Sequence, residues 1–184
     1  MILPIYMFGQ PVLKKVCTDL EPNHPELTKL ISNMWDTMYN AHGVGLAAPQ
    51  IGLGIRMFII DTIQVLEEEK PGEGIKQVFI NAQMIDETGE EWSYEEGCLS
   101  IPFVRGDVNR QEKISLRYLD ENFTEHTKHF EGLNARVIQH EYDHIEGILF
   151  TEKLKPLKKK MVLKKLDNIK KGNVDPDYKV KFFT

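Results

Sequence analysis

Two histidines stand four residues apart in the stretch QHEYDHIEG, Gln139–Gly147, and a glutamate directly follows the first. On an α-helix, residues i and i+4 stack on one face, so His140 and His144 can aim ring nitrogens at a single point. Two imidazoles suit a zinc, iron or nickel ion. Glu141 lies about 100° further round the helix and does not easily join the histidines as a ligand. It can instead act as general base on a water held by the ion. The HExxH spacing carries that mechanism. The plainer reading of such a stretch is a charged, partly exposed helix face. Against it, this helix otherwise reads as buried, and acids such as Glu141 and Asp143 beside a core stripe need partners.

A catalytic ion needs a third protein ligand and an open position. One protease pattern continues HExxHxxGxxH; the chain follows it as far as Gly147, but Phe150 stands where the third histidine belongs. Another takes a glutamate further downstream, where this chain reads KKKMVLKKLDN. Upstream, His24, His42, His126 and His129 lie in or near polar segments and read as solvated. Cys17 reads as a small core hydrophobe. Cys98, in EEGCLSIP, sits in a glycine-flanked turn, and as a thiolate it would complete a Cys–His–His set.

The elements that must position these groups are legible from periodicity and punctuation. The stretch HPELTKLISNMWDTMYNAHG has apolar residues at helical spacing, with Pro25 suited to the first turn and Gly43 to a stop, which predicts a helix over 25–41. GVGLAAPQIGLG, Gly43–Gly54, reads as an ordered loop. IRMFIID, Ile55–Asp61, reads as a buried strand, and IQVLEEEKPGEGIKQ as a solvated excursion. Further strands are predicted over Val78–Asp86, Lys113–Asp120 and Glu125–Gly132, the last two as a hairpin. A helix is predicted over 133–146, with Leu133, Val137, His140, Glu141, His144 and Ile148 on one stripe and Gly147 as stop. A last helix begins near Pro156 and ends at Gly172, with Leu157, Met161, Val162, Leu166 and Ile169 as its apolar stripe. DYKVKFF reads as a short final strand. Strands dominate the first two thirds and helices the last, which points to an α+β fold.

With 184 residues, 41% hydrophobic and 28% charged, the chain is ordinary for one globular domain over 1–184. Two cysteines make no disulfide framework. No apolar run approaches the ~20 residues of a membrane helix, and MILPIYMFGQPVLKK lacks the basic start and cleavage site of a signal peptide. A cytoplasmic protein is therefore expected. The net charge of −5 argues against DNA as a partner. The charge is uneven, however: residues 151–184 hold 11 lysines against four acids, and residues 1–150 hold 12 basic against 24 acidic residues.

Three segments together resemble one family. GVGLAAPQ (Gly43–Gln50), EGCLS (Glu96–Ser100) and QHEYDH (Gln139–His144) are similar to the three signature motifs of the peptide deformylases, in their usual order. ARVIQHEYDHIEGILF extends the third match, and QPVLKK and the long first helix also fit, so the likeness spans roughly residues 1–155.

The resemblance implies antiparallel sheets packed around a central helix that carries HExxH, followed by a C-terminal helix. It implies a divalent metal held by Cys98, His140 and His144, typically Fe²⁺, with Zn²⁺, Ni²⁺ or Co²⁺ as other ions such a site takes. The implied reaction removes the formyl group from the N-terminal formyl-methionine of nascent chains and releases formate. Glu141 is the implied base and proton carrier, and the Gln50 side-chain amide and the Leu99 backbone N–H are the implied donors to the oxyanion. Gly43, Val44, Leu133, Arg136 and Val137 are expected to line or border the methionine pocket, with the stem of Arg136 as apolar wall and its head in water. Gly45 is expected to bond the substrate backbone, and Arg105 to lie near the substrate chain. Two features depart mildly from the family pattern: an acidic insertion around Glu67–Gly74, and the segment after Gly172. The basic helix and tail over 156–184 read either as a solvated lysine face or as a surface that docks electrostatically on ribosomal RNA.

Overall fold

The computed structural model describes residues 1–183. It is an α+β molecule of two sheets and three long helices. In chain order these are β1 (Ile5–Tyr6), α1 (Leu27–Asn40), β2 (Gly45–Ala47), β3 (Met57–Asp61), a single helical turn α2 (Ile63–Leu66), β4 (Lys76–Cys98), β5 (Ile101–Leu119), β6 (Glu125–Glu131), α3 (Gly132–Ile145), α4 (Pro156–Lys170) and β7 (Val180–Lys181). The main sheet is antiparallel in the order β2-β3-β4-β5-β6, and β1 pairs in parallel with β7. No described helix is long and apolar enough to cross a membrane.

Helix α3, which carries HExxH, packs against β2, β3, β5 and β6. Its Ala135, Ile138 and Ile145 are fully buried beside Phe58, Phe79 and Tyr118, and the Phe58 and Phe79 rings stack 4.8 Å apart. Buried apolar area is the main force holding such a helix to its sheet. Gly147 ends the helix in a left-handed turn (φ 72°). A Cβ there would come within 2.8 Å of the Lys14 backbone, so both conformation and space require glycine. A second cluster gathers Leu30, Met34 and Met38 of α1 with Leu13, Met57, Ile59 and Phe150.

Several elements differ from the sequence reading. Helix α1 starts at Leu27, and its C-terminal turn is closed by His42 in the left-handed region (φ 56°), with Gly43 N–H donating to Met38 O at 2.9 Å. The Gly43–Gly54 segment is not a loop throughout. It holds strand β2 and a 3₁₀ turn over Ala48–Ile51, because its small apolar residues are buried against β3 and α3. Strands β4 and β5 run far beyond the predicted spans. On β4 the missing length is the polar, mostly exposed stretch DETGEEWSYEE, held by backbone pairing; on β5 it is residues 101–112, where buried Ile101, Val104 and Val108 give way to buried Arg110 and the apolar alternation breaks. On α4, Val162, Leu166 and Ile169 are buried, but Leu157 and Met161 are 73% and 66% exposed. The helix lies with only one narrow edge on the protein, so its buried stripe is narrower than the sequence predicts. The final strand predicted in DYKVKFF forms as β7, and its partner β1 was too short to be read.

Candidate metal centre and active site

Cys98 is the last residue of β4, and Leu99–Ser100 form the two-residue turn into β5, with Cys98 paired to Ile101. The register jumps here, since Gly97 pairs with Arg105; in the bulge so formed Pro102 and Val104 turn inward, while exposed Phe103 takes a left-handed φ of 63°. Helix α3 brings its two histidines to this strand end. One ligand atom from each of Cys98, His140 and His144 lies within 4.8 Å of the others, and Cys98 Sγ is 3.3 Å from His144 Nε2. No other such cluster occurs among the described residues. Of the four histidines read as solvated, His42 and His129 are exposed, whereas His24 and His126 are half-buried, His126 against Asp120 at 2.7 Å. Cys17 is buried, and burial pushes its thiol up to about 11.

The surroundings fit a bound cation. His140 Nδ1 meets the Glu96 carboxylate at 2.9 Å, which fixes the ring and leaves Nε2 for the ion, the carboxylate–histidine arrangement common behind metal ligands. His144 is buried, and burial keeps its pKa well below the usual histidine range, the neutral form a metal would need. Burial opposes a charge on His140, but the neighbouring Cys98 and Glu96 outweigh it and push its pKa up to about 10. An arriving metal must therefore displace a proton. Three protein ligands and no fourth leave the open position that hydrolysis needs. Phe150, in place of a third histidine, is buried with its ring 6.0 Å from that of His140.

Glu96 is the residue that sequence reasoning missed. It accepts from Arg110 Nε at 2.7 Å and Nη2 at 3.0 Å, from Arg136 Nη1 at 2.9 Å and from His140. Burial raises its pKa, but these partners reverse the effect and hold it well below the ordinary carboxylate range. Arg110 continues to Asp143 at 2.7 Å, and Lys153 closes the chain at 3.0 Å. Asp143, unexplained on the helix stripe, is thus half of a buried ion pair. The signal was present: Glu96 and Cys98 are two apart on a strand and share a face. A turn reading of EEGCLSIP hides this offset, because Cys98 ends a strand.

A cleft of about 510 Å³ opens over this centre. Gly43, Val44, Gly45, Gln50, Cys98, Leu99, Arg105, Leu133, Arg136, Val137, His140 and Glu141 all line it, while buried His144 does not. Arg136 departs from its expected posture. It is 2% exposed, bonded to Glu96, Val108 O and Trp92 O, with its guanidinium 4.4 Å from the Trp92 ring centre. The head does not reach water, because Glu96 holds it inside. Arg105 is exposed and pairs with Glu95 at 2.9 Å. The acidic insertion stays in solvent, joined to the rim through Val65. Pro176, Asp177 and Tyr178 of the C-terminal segment also line the cleft.

Gln50 is buried, with its carbonyl pinned by Ala47 N–H at 2.8 Å. That leaves Nε2 facing Cys98 Sγ at 3.5 Å and Ser100 Oγ at 3.3 Å, a fixed donor beside the centre. Glu141 is buried, its Oε2 has no partner among the described residues, and burial pushes its pKa up to about 7. Its carboxylate lies against Gly45, where an added Cβ would sit 2.8 Å from Glu141 Cδ. Gly45→Ala is therefore expected to displace the carboxylate and lower kcat/KM for hydrolysis at this centre by ~10²-fold. The metal content should be unchanged; an unaltered kcat/KM would show that the carboxylate's position is not critical.

The comparisons agree with this geometry. Residues 2–160 match the family model described as polypeptide deformylase. The chain is 57% identical to the peptide deformylase of Christiangramia forsetii, over 99% of this chain and 96% of that one. The crystal structure of a peptide deformylase from Legionella pneumophila superposes with a TM-score of 0.81 at 38% identity, over 94% of this chain and 98% of that one. A Plasmodium falciparum peptide deformylase superposes at 0.83 and 30%, over 91% and 95%. Motif order, the Cys–His–His centre and these likenesses converge: the chain belongs to the polypeptide deformylase family and is an enzyme of that kind.

Proposed function

We propose that residues 1–184 act as one catalytic unit in the cytoplasm, removing the formyl group from the N-terminal formyl-methionine of nascent chains. The observation that carries this reading is the meeting of Cys98, His140 and His144 beside a cleft lined by Glu141, whose buried Oε2 has no partner among the described residues. Cys98, His140 and His144 would hold one divalent ion, which, when bound, would acidify a water and polarise the formyl carbonyl. Fe²⁺ is the ion expected in the cell, and Zn²⁺, Ni²⁺ or Co²⁺ fit the same ligands.

Glu141 takes a proton from the attacking water as its oxygen adds to the formyl carbon. The Gln50 amide and the Leu99 N–H donate to the carbonyl oxygen as it gains charge. As the C–N bond breaks, Glu141 returns the proton to the leaving nitrogen. The products are formate and a free methionine amine. Gly43, Val44, Leu133 and Val137 supply the apolar wall for the methionine, and Gly45 and Arg105 lie beside the chain that follows it. Arg136 serves the site through Glu96. The test is the product formed from formyl-Met-Ala-Ser by metal-loaded protein: formate with intact Met-Ala-Ser is expected. No formate, or cleavage between residues, would refute the reading.

The basic C-terminal helix supports a second contact. Lys159, Lys160, Lys164 and Lys165 are exposed on α4, where they can meet phosphate. Docking on the ribosome at the point where formylated chains emerge is the partner proposed for this face. Replacing Lys158–Lys160 and Lys164–Lys165 with glutamine is expected to abolish ribosome co-sedimentation at low salt and to leave small-peptide turnover intact. Unchanged co-sedimentation would exclude this docking mode.

A further inference from the structure

The turn that carries Leu99 lies where the β4–β5 ladder slips register, so strand pairing alone holds it poorly. Two bonds from the small β1–β7 sheet and its flanks hold it instead. Phe8 N–H donates to Ser100 O at 2.9 Å, and the Tyr178 hydroxyl donates to Leu99 O at 2.7 Å. The donors sit on partners, since Ile5 N–H bonds Lys179 O at 2.8 Å and Met7 N–H bonds Lys181 O at 3.0 Å. The Leu99 side chain is also confined: a Cβ on Gly43 would come within 2.7 Å of its Cδ1. Tyr178 lies outside residues 2–160, the span that matches the family model.

We propose that Tyr178 is a positioning residue, whose hydroxyl fixes the Leu99–Ser100 turn so that the Leu99 N–H stays aimed at the formyl oxygen. This rests on the reading of Leu99 as an oxyanion donor. A donor helps the reaction only if it is already oriented when charge develops, since reorientation at that moment would consume the gain. With Leu99 O anchored by the phenol and Ser100 O by Phe8, the peptide units after the donor cannot rotate freely. The C-terminal segment thus contributes a wall to the cleft and a tether to its chemistry.

The test is Tyr178→Phe, which deletes one hydroxyl and keeps the ring. Outright loss of one oxyanion donor lowers kcat ~10²–10³-fold, so a loosened donor is expected to lower it ~10-fold. KM, metal content and melting temperature should stay close to wild type. In the zinc-loaded protein, hydrogen exchange at the Leu99 amide should quicken. An unchanged kcat would overturn the proposal, and so would a raised KM with unchanged kcat, which would make Tyr178 a wall only. A companion protein with an ester in place of the Leu99 amide lacks the N–H itself. Wild-type kcat in the ester protein would remove the Leu99 reading and the Tyr178 proposal with it. A slow ester protein beside a normal Tyr178→Phe variant would remove the Tyr178 proposal alone.

Discussion

Glu141→Gln is expected to lower kcat for formate release by ~10²–10⁴-fold, the range spanned by a positioned general acid–base. One divalent ion per chain should remain bound. Glutamine fills the same volume, so the packing against Gly45 survives, but an amide can neither accept the water's proton nor return one to the leaving nitrogen. The carboxylate is suited to both steps. It is buried, one oxygen is unpartnered among the described residues, and burial pushes its pKa up to about 7. It therefore takes and gives a proton near neutrality more readily than an ordinary glutamate. Loss of the ion together with the activity would instead make Glu141 part of the metal's support. Retention of more than a tenth of wild-type kcat would move the base elsewhere.

Glu96→Ala is expected to damage both stability and metal retention. Glu96 is the common acceptor of Arg110, Arg136 and His140, all buried or nearly so. Removing one partner of a buried ion pair typically costs about 3–5 kcal/mol, because the other charge is left uncompensated. That is a large share of the about 5–15 kcal/mol that holds a domain folded. Loss of the carboxylate behind a metal-ligating histidine also weakens metal binding ~10–100-fold. Burial raises the Glu96 pKa, but His140 and Arg110 bring it well below its unfolded value of 4.5. Its stabilisation is therefore complete above that value and is lost only as the pH falls through the lower folded one. Denaturant melts at neutral pH should show the large loss for Glu96→Ala and a smaller one for Glu96→Gln, which keeps an acceptor. Equal stability of wild type and Glu96→Ala would mean that the network contributes nothing net.

Much of the candidate site was legible because the chemistry proposed for it constrains local sequence. His140, Glu141 and His144 must sit at fixed offsets on one helix, and Cys98 stood out as the accessible cysteine once both protease continuations failed at Phe150 and in KKKMVLKKLDN. Glu96 left only its offset from Cys98 as a signal, and Arg110 left none, since their partnership spans β4, β5 and α3. Arg136 was misplaced for the same reason: a lone arginine on a helix reads as snorkelling until a buried carboxylate is known to face it. The long β4–β5 ribbon was hard to read because its β4 stretch is polar and exposed, and on β5 the buried Ile101, Val104 and Val108 are followed by the buried Arg110, which breaks the apolar alternation. Tyr178 reaches the site only through the pairing of the chain's two ends, a contact of high sequence separation that no window over the sequence reports.

The central claim is that one ion held by Cys98, His140 and His144 makes this cleft a deformylase. The most direct test strips the metal under anaerobic conditions, returns Fe²⁺ in steps, and measures bound iron and formate release from formyl-Met-Ala-Ser in the same samples. Formate release should rise in proportion to bound iron and level off at one ion per chain. Full activity in the stripped protein, or no formate from the fully loaded one, would contradict the account.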